Sequence, residues 1–267
     1  MRSTLPTAIV LVSLLGLFGP KGAGTGLCAQ EEMTLTVLFD NLWTDDRLQT
    51  GWGFAALLES GGHTVLFDTG ANGEVLLENM RLLGKDPMAI DAVVISHAHG
   101  DHTAGLPALL ALGVKPRLYL LEGFPAQMRE QAGSSWNVII SARGEEIAPG
   151  IRSTGQVGVE IPEQGLVLDT RNGPVLLTGC AHPGIGEMIG GAAQVAGKPV
   201  YEVLGGFHLM AADGATIRGI VEEFRRLGVE VAGPTHCSGL MTMAVFQEAY
   251  GKAFQRMGVG RVLSFPM

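Results

Sequence analysis

His97-Ala98-His99-Gly100-Asp101-His102 gathers three histidines and a carboxylate into six residues. It stands directly after the apolar run Ala92 to Ser96 and directly before a helical pattern running from Thr103 to Leu112. A chain that folds this segment must present it as a loop at the C-terminal end of a strand, where α/β folds carry their functional residues. Imidazole nitrogen is a preferred zinc ligand and a carboxylate adds a hard oxygen donor, so one short loop can serve two adjacent ions. Alternate residues of an extended loop share a side, which directs His97 and His99 to one ion. Asp101 and His102 begin the helix and point elsewhere, toward a second. A capping role at the helix N-terminus is open to Asp101 as well.

The rest of the chain alternates strand-length apolar runs with amphipathic helices, an α/β pattern. Met33 to Phe39, Phe54 to Glu59 and Thr64 to Phe67 read as strands, with Gly61-Gly62 as a hairpin turn between the last two. Glu74 to Leu83 reads as a helix closed by Gly84, and Arg117 to Leu121 as the strand that follows the histidine loop and its helix. Ile151 to Thr170 and Gly173 to Thr178 read as antiparallel strands joined at Asn172-Gly173. Beyond them come helix Gly186 to Val195, strand Val200 to Leu204, helix Ala215 to Leu227, strand Val229 to Val231 and helix Met241 to Met257. No repeat or low-complexity linker divides the chain, so residues 30–267 are expected to form one domain.

Ahead of that domain, Arg2 followed by the apolar run Ala8 to Phe18 and small residues around Gly22 to Gly26 has the form of a secretion leader over residues 1–29. The run is too short to span a bilayer. The mature chain is expected to start between Gly24 and Glu31, in a periplasmic or extracellular setting. With 46% hydrophobic and 16% charged residues, the chain is too apolar to be disordered. Its formal charge of −8 becomes about −10 once Arg2 and Lys21 are removed. A nucleic-acid partner is not expected, because no run of Lys or Arg offers a phosphate-binding footprint. The partner expected is a small-molecule substrate, and the sequence leaves the oligomeric state open.

Of the seven histidines, His63 sits at the hairpin and reads as a solvated turn residue. His182 follows Thr178-Gly179-Cys180, His208 follows Gly205-Gly206-Phe207, and His236 lies in Pro234-Thr235-His236-Cys237, each just after an apolar run. The order Phe67-Asp68-Thr69-Gly70, the six-residue histidine loop, and then single histidines after strands resembles the metallo-β-lactamase superfamily. Gly51-Trp52-Gly53-Phe54, Gly179-Cys180-Ala181-His182-Pro183-Gly184, Gly205-Gly206-Phe207-His208-Leu209 and His236-Cys237-Ser238-Gly239 are similar to its dihydropterin ribofuranosylaminobenzene phosphate synthase-like branch.

The resemblance implies a four-layer αββα sandwich with a metal cleft along one edge. It implies His97, His99, Asp101 and His102 as ligands, His236 as the last histidine ligand, and Asp68 as an acceptor that orients a ligand. Asp68 can equally shape the Asp-Thr-Gly turn. The likeness is incomplete. Ser153-Thr154-Gly155-Gln156 lacks the histidine that most members carry in this stretch, and Thr178-Gly179-Cys180 lacks their bridging aspartate. Cys180 and His182 are therefore expected to replace one or both, since thiolate is a good zinc donor. A disulfide between Cys180 and Cys237 would compete with that role.

His208 is open to three roles: ligand, core histidine, or proton donor and oxyanion stabiliser. The last is preferred because general acids are most often histidine. The expected function is a metal-dependent hydrolase acting on a small anionic ester, a phosphoester included, with His208 and Asp101 catalytic. Two zinc ions are the expected cofactors, with manganese or iron(II) as substitutes. The alternatives are a synthase-like transferase, as the branch name implies, or a metal-binding sensor without turnover.

Overall fold

The computed structural model describes Met1 and residues 32–267, so all but Met1 of the expected leader lies outside the described residues. Strand β1 (Glu32–Phe39) runs antiparallel to β2 (Ala55–Ser60), which turns back into β3 (His63–Phe67). The turn is Gly61-Gly62, with φ of 56° and 80°. Positive φ at both central positions matches the right-handed twist of the flanking strands and comes without cost to glycine. Helix α1 (Gly73–Leu82) follows, capped by Asn72, whose side chain accepts from the Glu74 and Val75 amides.

Strand β4 (Ala92–Val94) lies parallel to β3 and leads into the histidine loop. The single helix expected from Thr103 to Leu112 is two short ones, α2 (Gly100–Thr103) and α3 (Leu106–Ala111). Pro107 in the first turn of α3 has no N–H with which to continue α2, and Gly105 at the break lies close against Thr69, where a Cβ would stand 2.2 Å from the Thr69 carbonyl oxygen. Strand β5 (Arg117–Leu120), helix α4 (Ala126–Gly133) and strand β6 (Asn137–Ile140) complete the first half.

In the second half, β7 (Glu146–Ala148) pairs with β8 (Ile151–Ser153), which pairs with β9 (Leu166–Leu168), and β9 with β10 (Val175–Thr178), all antiparallel. The long strand expected from Ile151 to Thr170 is thus two strands with residues 154–165 as an excursion between them. Helix α5 (Ile185–Ala196), strand β11 (Glu202–Gly206), helix α6 (Gly214–Arg226), strand β12 (Val231–Thr235) and helix α7 (Leu240–Tyr250) follow. Strand β12 begins where the expected strand Val229 to Val231 ends, and α7 stops at Tyr250 rather than Met257, at Gly251 with φ 53°. Strand β13 (Val262–Pro266), which has no counterpart among the expected elements, returns to pair with β1.

The result is a seven-stranded sheet, β13-β1-β2-β3-β4-β5-β6, and a six-stranded sheet, β12-β11-β10-β9-β8-β7. One buried cluster, including Leu35, Val94, Leu166 and Leu177, lies between the sheets. A second packs Leu76, Met80 and Leu109 of α1 and α3 on the outer face of the first sheet, and a third packs Met188, Ile217 and Phe246 of α5, α6 and α7 on the second. These are the four layers of an αββα sandwich. No helix among the described residues is long and apolar enough to cross a membrane.

Candidate metal centre

Strands β3, β4 and β5 are mutually parallel, and so are β10, β11 and β12. Their C-terminal ends open into the segments that carry Asp68, the histidine loop, Cys180 with His182, His208 and His236. Four residues here hold positive φ without being glycine: Asp68 (58°), Ala181 (64°), His208 (53°) and His236 (52°). Such conformations persist only where the surroundings over-determine them, and they cluster at functional sites. Sequence reading therefore located the functional edge of both sheets.

Asp68 anchors the first loop. Its Oδ1 accepts the Ser96 amide at 2.7 Å, and its Oδ2 accepts the Ser96 hydroxyl and faces His102 Nδ1, each at 2.7 Å. The Ser96 oxygen in turn stands 2.9 Å from His97 Nδ1. With the Ser96 proton committed to Asp68, both rings carry hydrogen on Nδ1 and turn Nε2 toward the centre. Asp68 thus shapes its turn and orients two rings at once. Gly179 permits this closeness, since a Cβ there would stand 2.1 Å from Ser96 Oγ and 3.0 Å from Asp68 Oδ2.

The rings converge as the spacing predicts. His97 Nε2 lies 3.1 Å from His99 Nδ1 and 3.2 Å from His182 Nε2. On the other side, His102 Nε2 lies 3.3 Å from Cys180 Sγ and 3.5 Å from Asp101 Oδ2, and His236 Nε2 lies 3.3 Å from the same Asp101 oxygen. Overlapping groupings of donor atoms result: His97 with His99 and Asp101, His97 with Cys180 and His182, Asp101 with His102, Cys180 and His236, and Cys180 with His208 and Cys237. All seven residues expected as ligands are therefore brought together, with Cys180 between the groupings. Asp101 does not cap the helix: the N-cap of α2 is His99, and the Asp101 carboxylate turns toward His102 and His236.

The arrangement fits a divalent ion on two counts. His236 Nε2 is buried yet makes no hydrogen bond, an orphaned acceptor that a cation would satisfy. Two nitrogens on one tetrahedral zinc ion stand about 3.3 Å apart, given bonds of about 2.05 Å, close to the ring separations here. Its electrostatics point the same way. Burial and then the neighbouring rings of His102 and His182 hold His97 well below the usual histidine range, which keeps it neutral. Burial lowers His182 to about 4, with His208 and His99 adding to the effect. Burial alone would raise Asp101, but its interactions with the neighbouring rings of His102 and then His236 outweigh it and keep the carboxylate ionised.

Three further residues support the centre without having been singled out from sequence. Asn41 grips His236 twice, its Oδ1 2.9 Å from Nδ1 and its Nδ2 donating to the His236 carbonyl at 3.1 Å. Ser96 links Asp68 to His97, as above. Glu163, fully buried in the 154–165 excursion, accepts the amides of Cys180, Ala181 and His182. The half-exposed Trp52 lies over the centre's far side, its ring 4.9 Å from that of His236.

His208 is exposed, its ring 4.2 Å from that of His182 and a ring nitrogen within 4.8 Å of the Cys180 and Cys237 sulfurs. Its pKa is raised, chiefly by a hydrogen bond with the Cys237 thiol. Phe207 is buried and Leu209 packs with it, leaving His208 on the open side as expected. Cys180 and Cys237 are free thiols, so the disulfide considered from sequence is absent among the described residues; Cys237 Sγ instead points at the Cys180 carbonyl, 3.5 Å away. His63 is partly exposed beside Asp91, away from the centre.

Comparison with known proteins agrees with this geometry. Over 81% of its length, and 90% of the relative's, the chain is 28% identical to the 7,8-dihydropterin-6-methyl-4-(beta-D-ribofuranosyl)-aminobenzene-5'-phosphate synthase of Methanocaldococcus jannaschii. The solved structure of Tm1679, a metal-dependent hydrolase of the beta-lactamase superfamily, superposes with a TM-score of 0.72 at 27% identity, covering 86% of this chain and 98% of that one. A stretch of 53 residues, 20% of this chain and 16% of the relative, is 45% identical to ribonuclease Z of Pyrococcus horikoshii. The family model of the metallo-beta-lactamase superfamily matches residues 52–236, which span the Trp52 loop, the histidine loop and His236. The chain belongs to the metallo-beta-lactamase superfamily.

Proposed function

We propose that the protein is a metal-dependent hydrolase of a small anionic ester, a phosphoester foremost, built on two zinc ions. His97, His99 and His182 would hold one ion and Asp101, His102 and His236 the other, with Cys180 within reach of both. The observation that carries this reading is the buried His236 Nε2 that lacks a hydrogen-bond partner yet faces the Asp101 carboxylate, beside the converging nitrogens of His97, His99 and His182. A nitrogen-rich set with one thiolate and one carboxylate suits zinc better than magnesium or calcium; manganese or iron(II) are the substitutes. Bound ions of this kind supply Lewis-acid polarisation of a substrate oxygen and a nucleophile from water at neutral pH.

The chain's own groups do the rest. Asp68 and Asn41 hold His102 and His236 in the tautomer that leaves Nε2 free. His208, on the open side, is placed to donate a proton to the leaving oxygen or stabilise its charge. An acidic chain with no basic cluster in its sequence leaves neutralisation of the substrate anion to the ions.

Transfer rather than hydrolysis is the second reading, favoured by the synthase relative that matches most of the chain. Assay of zinc-loaded protein against phosphoesters, lactones and β-lactams decides between them. Phosphoester turnover in water without a second substrate supports hydrolysis; product formed only when an acceptor is supplied overturns it in favour of transfer. The leader-like sequence of residues 1–29 supports an exported enzyme, and mass spectrometry of the exported protein is expected to find a start between Gly24 and Glu31. Soluble cytoplasmic protein retaining Met1 would contradict it.

A further inference from the structure

We propose that Glu163 is a positioning residue of the centre, its buried carboxylate fixing the backbone of residues 180–182 so that Cys180 and His182 face the ions. The proposal rests on the metal-centre reading above and adds a residue to it that touches neither ion nor substrate.

Three consecutive amides converge on this one side chain. Glu163 Oε1 accepts from the Cys180 and Ala181 N–H groups, each at 2.8 Å, and Oε2 accepts from the His182 N–H at 2.9 Å. The side chain is fully buried, and no Lys or Arg pairs with it among the described residues. The amides themselves therefore offset the cost of burying the carboxylate, as successive N–H groups do in anion-binding nests. In return they are held in a conformation that Ala181, with φ 64°, would not adopt unaided. An acceptor is needed on both oxygens. A glutamine in its place would turn an NH₂ group against at least one of the N–H donors.

Glu163 is itself fixed from two directions. Its backbone exchanges hydrogen bonds with Val157, at 2.8 and 3.0 Å, which closes residues 158–162 into a loop. Val159 and Ile161 of that loop are exposed, and with His182 and Pro183 they line a cavity of about 380 Å³ beside the centre. On the other side, the Gln164 amide donates to the Ser96 carbonyl at 2.9 Å and its side chain to the Ile95 carbonyl at 2.8 Å. Two neighbouring residues thus tie the loop after β10 in one sheet to the segment before His97 in the other. The register between the two ligand loops, and the wall of the adjoining cavity, pass through this strap.

Cobalt(II) titration of wild type and Glu163→Gln tests the assignment. Thiolate-to-cobalt charge-transfer absorption reports Cys180 directly, and chelator competition reports affinity. Wild type is expected to show the band; Glu163→Gln, folded by circular dichroism, is expected to lose most of its intensity and roughly 10- to 100-fold in affinity, the usual cost of removing a group that orients ligands. Adding Ala181→Gly, which makes the left-handed backbone free of strain, is expected to restore part of both. If Glu163→Gln does not fold, Glu163→Asp carries the test, with an expected affinity loss of at least threefold and a weakened band. A folded variant with wild-type band and affinity, or a double variant with no recovery, overturns the role of Glu163. Wild type that binds no cobalt overturns the metal-centre reading instead.

Discussion

Asp68 Oδ2 stands 2.7 Å from His102 Nδ1, with both side chains sealed from solvent and one residue of the Asp-Thr-Gly turn between the carboxylate and further contact with His102. That residue, Thr69, donates its amide and its hydroxyl to the His102 carbonyl, each at 2.8 Å. Ring and backbone of His102 are therefore set by the same turn. Burial would depress the His102 pKa, yet the Asp68 charge and the hydrogen bonds of Asp101 and Asp68 push it up to about 10. An ion held by Nε2 would take the place of a proton there, while Asp68 would keep the one on Nδ1.

Asp68→Asn is accordingly expected to cost about 10- to 100-fold in zinc affinity, because an amide can accept from Ser96 or from His102 but no longer from all its partners. Chelator competition on folded protein measures it. Affinity within twofold of wild type would show that the turn alone orients His102.

His208 and His236 are expected to separate chemistry from ion binding. His208→Ala should lower turnover by roughly 10²- to 10⁴-fold with metal content unchanged, the range for loss of a general acid. His236→Ala should lose metal. Elemental analysis beside steady-state kinetics distinguishes the two; release of an ion by His208→Ala would make it a ligand, and unchanged activity would leave it no chemical part.

Away from the centre, Glu202 of β11 is buried with Oε1 lacking a hydrogen-bond partner. Burial, opposed by the charge of Arg261, pushes its pKa from 4.5 to about 7. A carboxyl raised on folding binds its proton more tightly in the native state. Its contribution to stability is present below the unfolded value and is lost as pH rises through about 7. Glu202→Gln is expected to raise Tm at pH 8 by several degrees, from a ceiling of about 3 kcal/mol, and to make no difference near pH 4. A gain equal at both pH values would contradict this.

The parts of this molecule legible in the sequence are those with a local signature. The histidine loop announces its chemistry within six residues, and the strand ends before His182, His208 and His236 are marked by short apolar runs. Gly61-Gly62 gives its hairpin in the same way. Features that depend on distant partners were not legible. Gly105 lets the chain pass against Thr69, and Asn41 acts on a ring 195 residues away. Glu163 was hidden inside a stretch whose apolar character reads as one strand, although only its two ends pair in the sheet. Strand β13 is exposed at alternate positions and pairs with the far end of the chain, so its pattern alone was weak.

The central claim is a two-ion centre, and the metal content of purified protein after zinc supplementation tests it most directly. The geometry predicts close to two divalent ions per chain, because Asp101 and His102 face His236 while His97 faces His99 and His182. A content near one would remove the second site, and a content near zero would contradict the account.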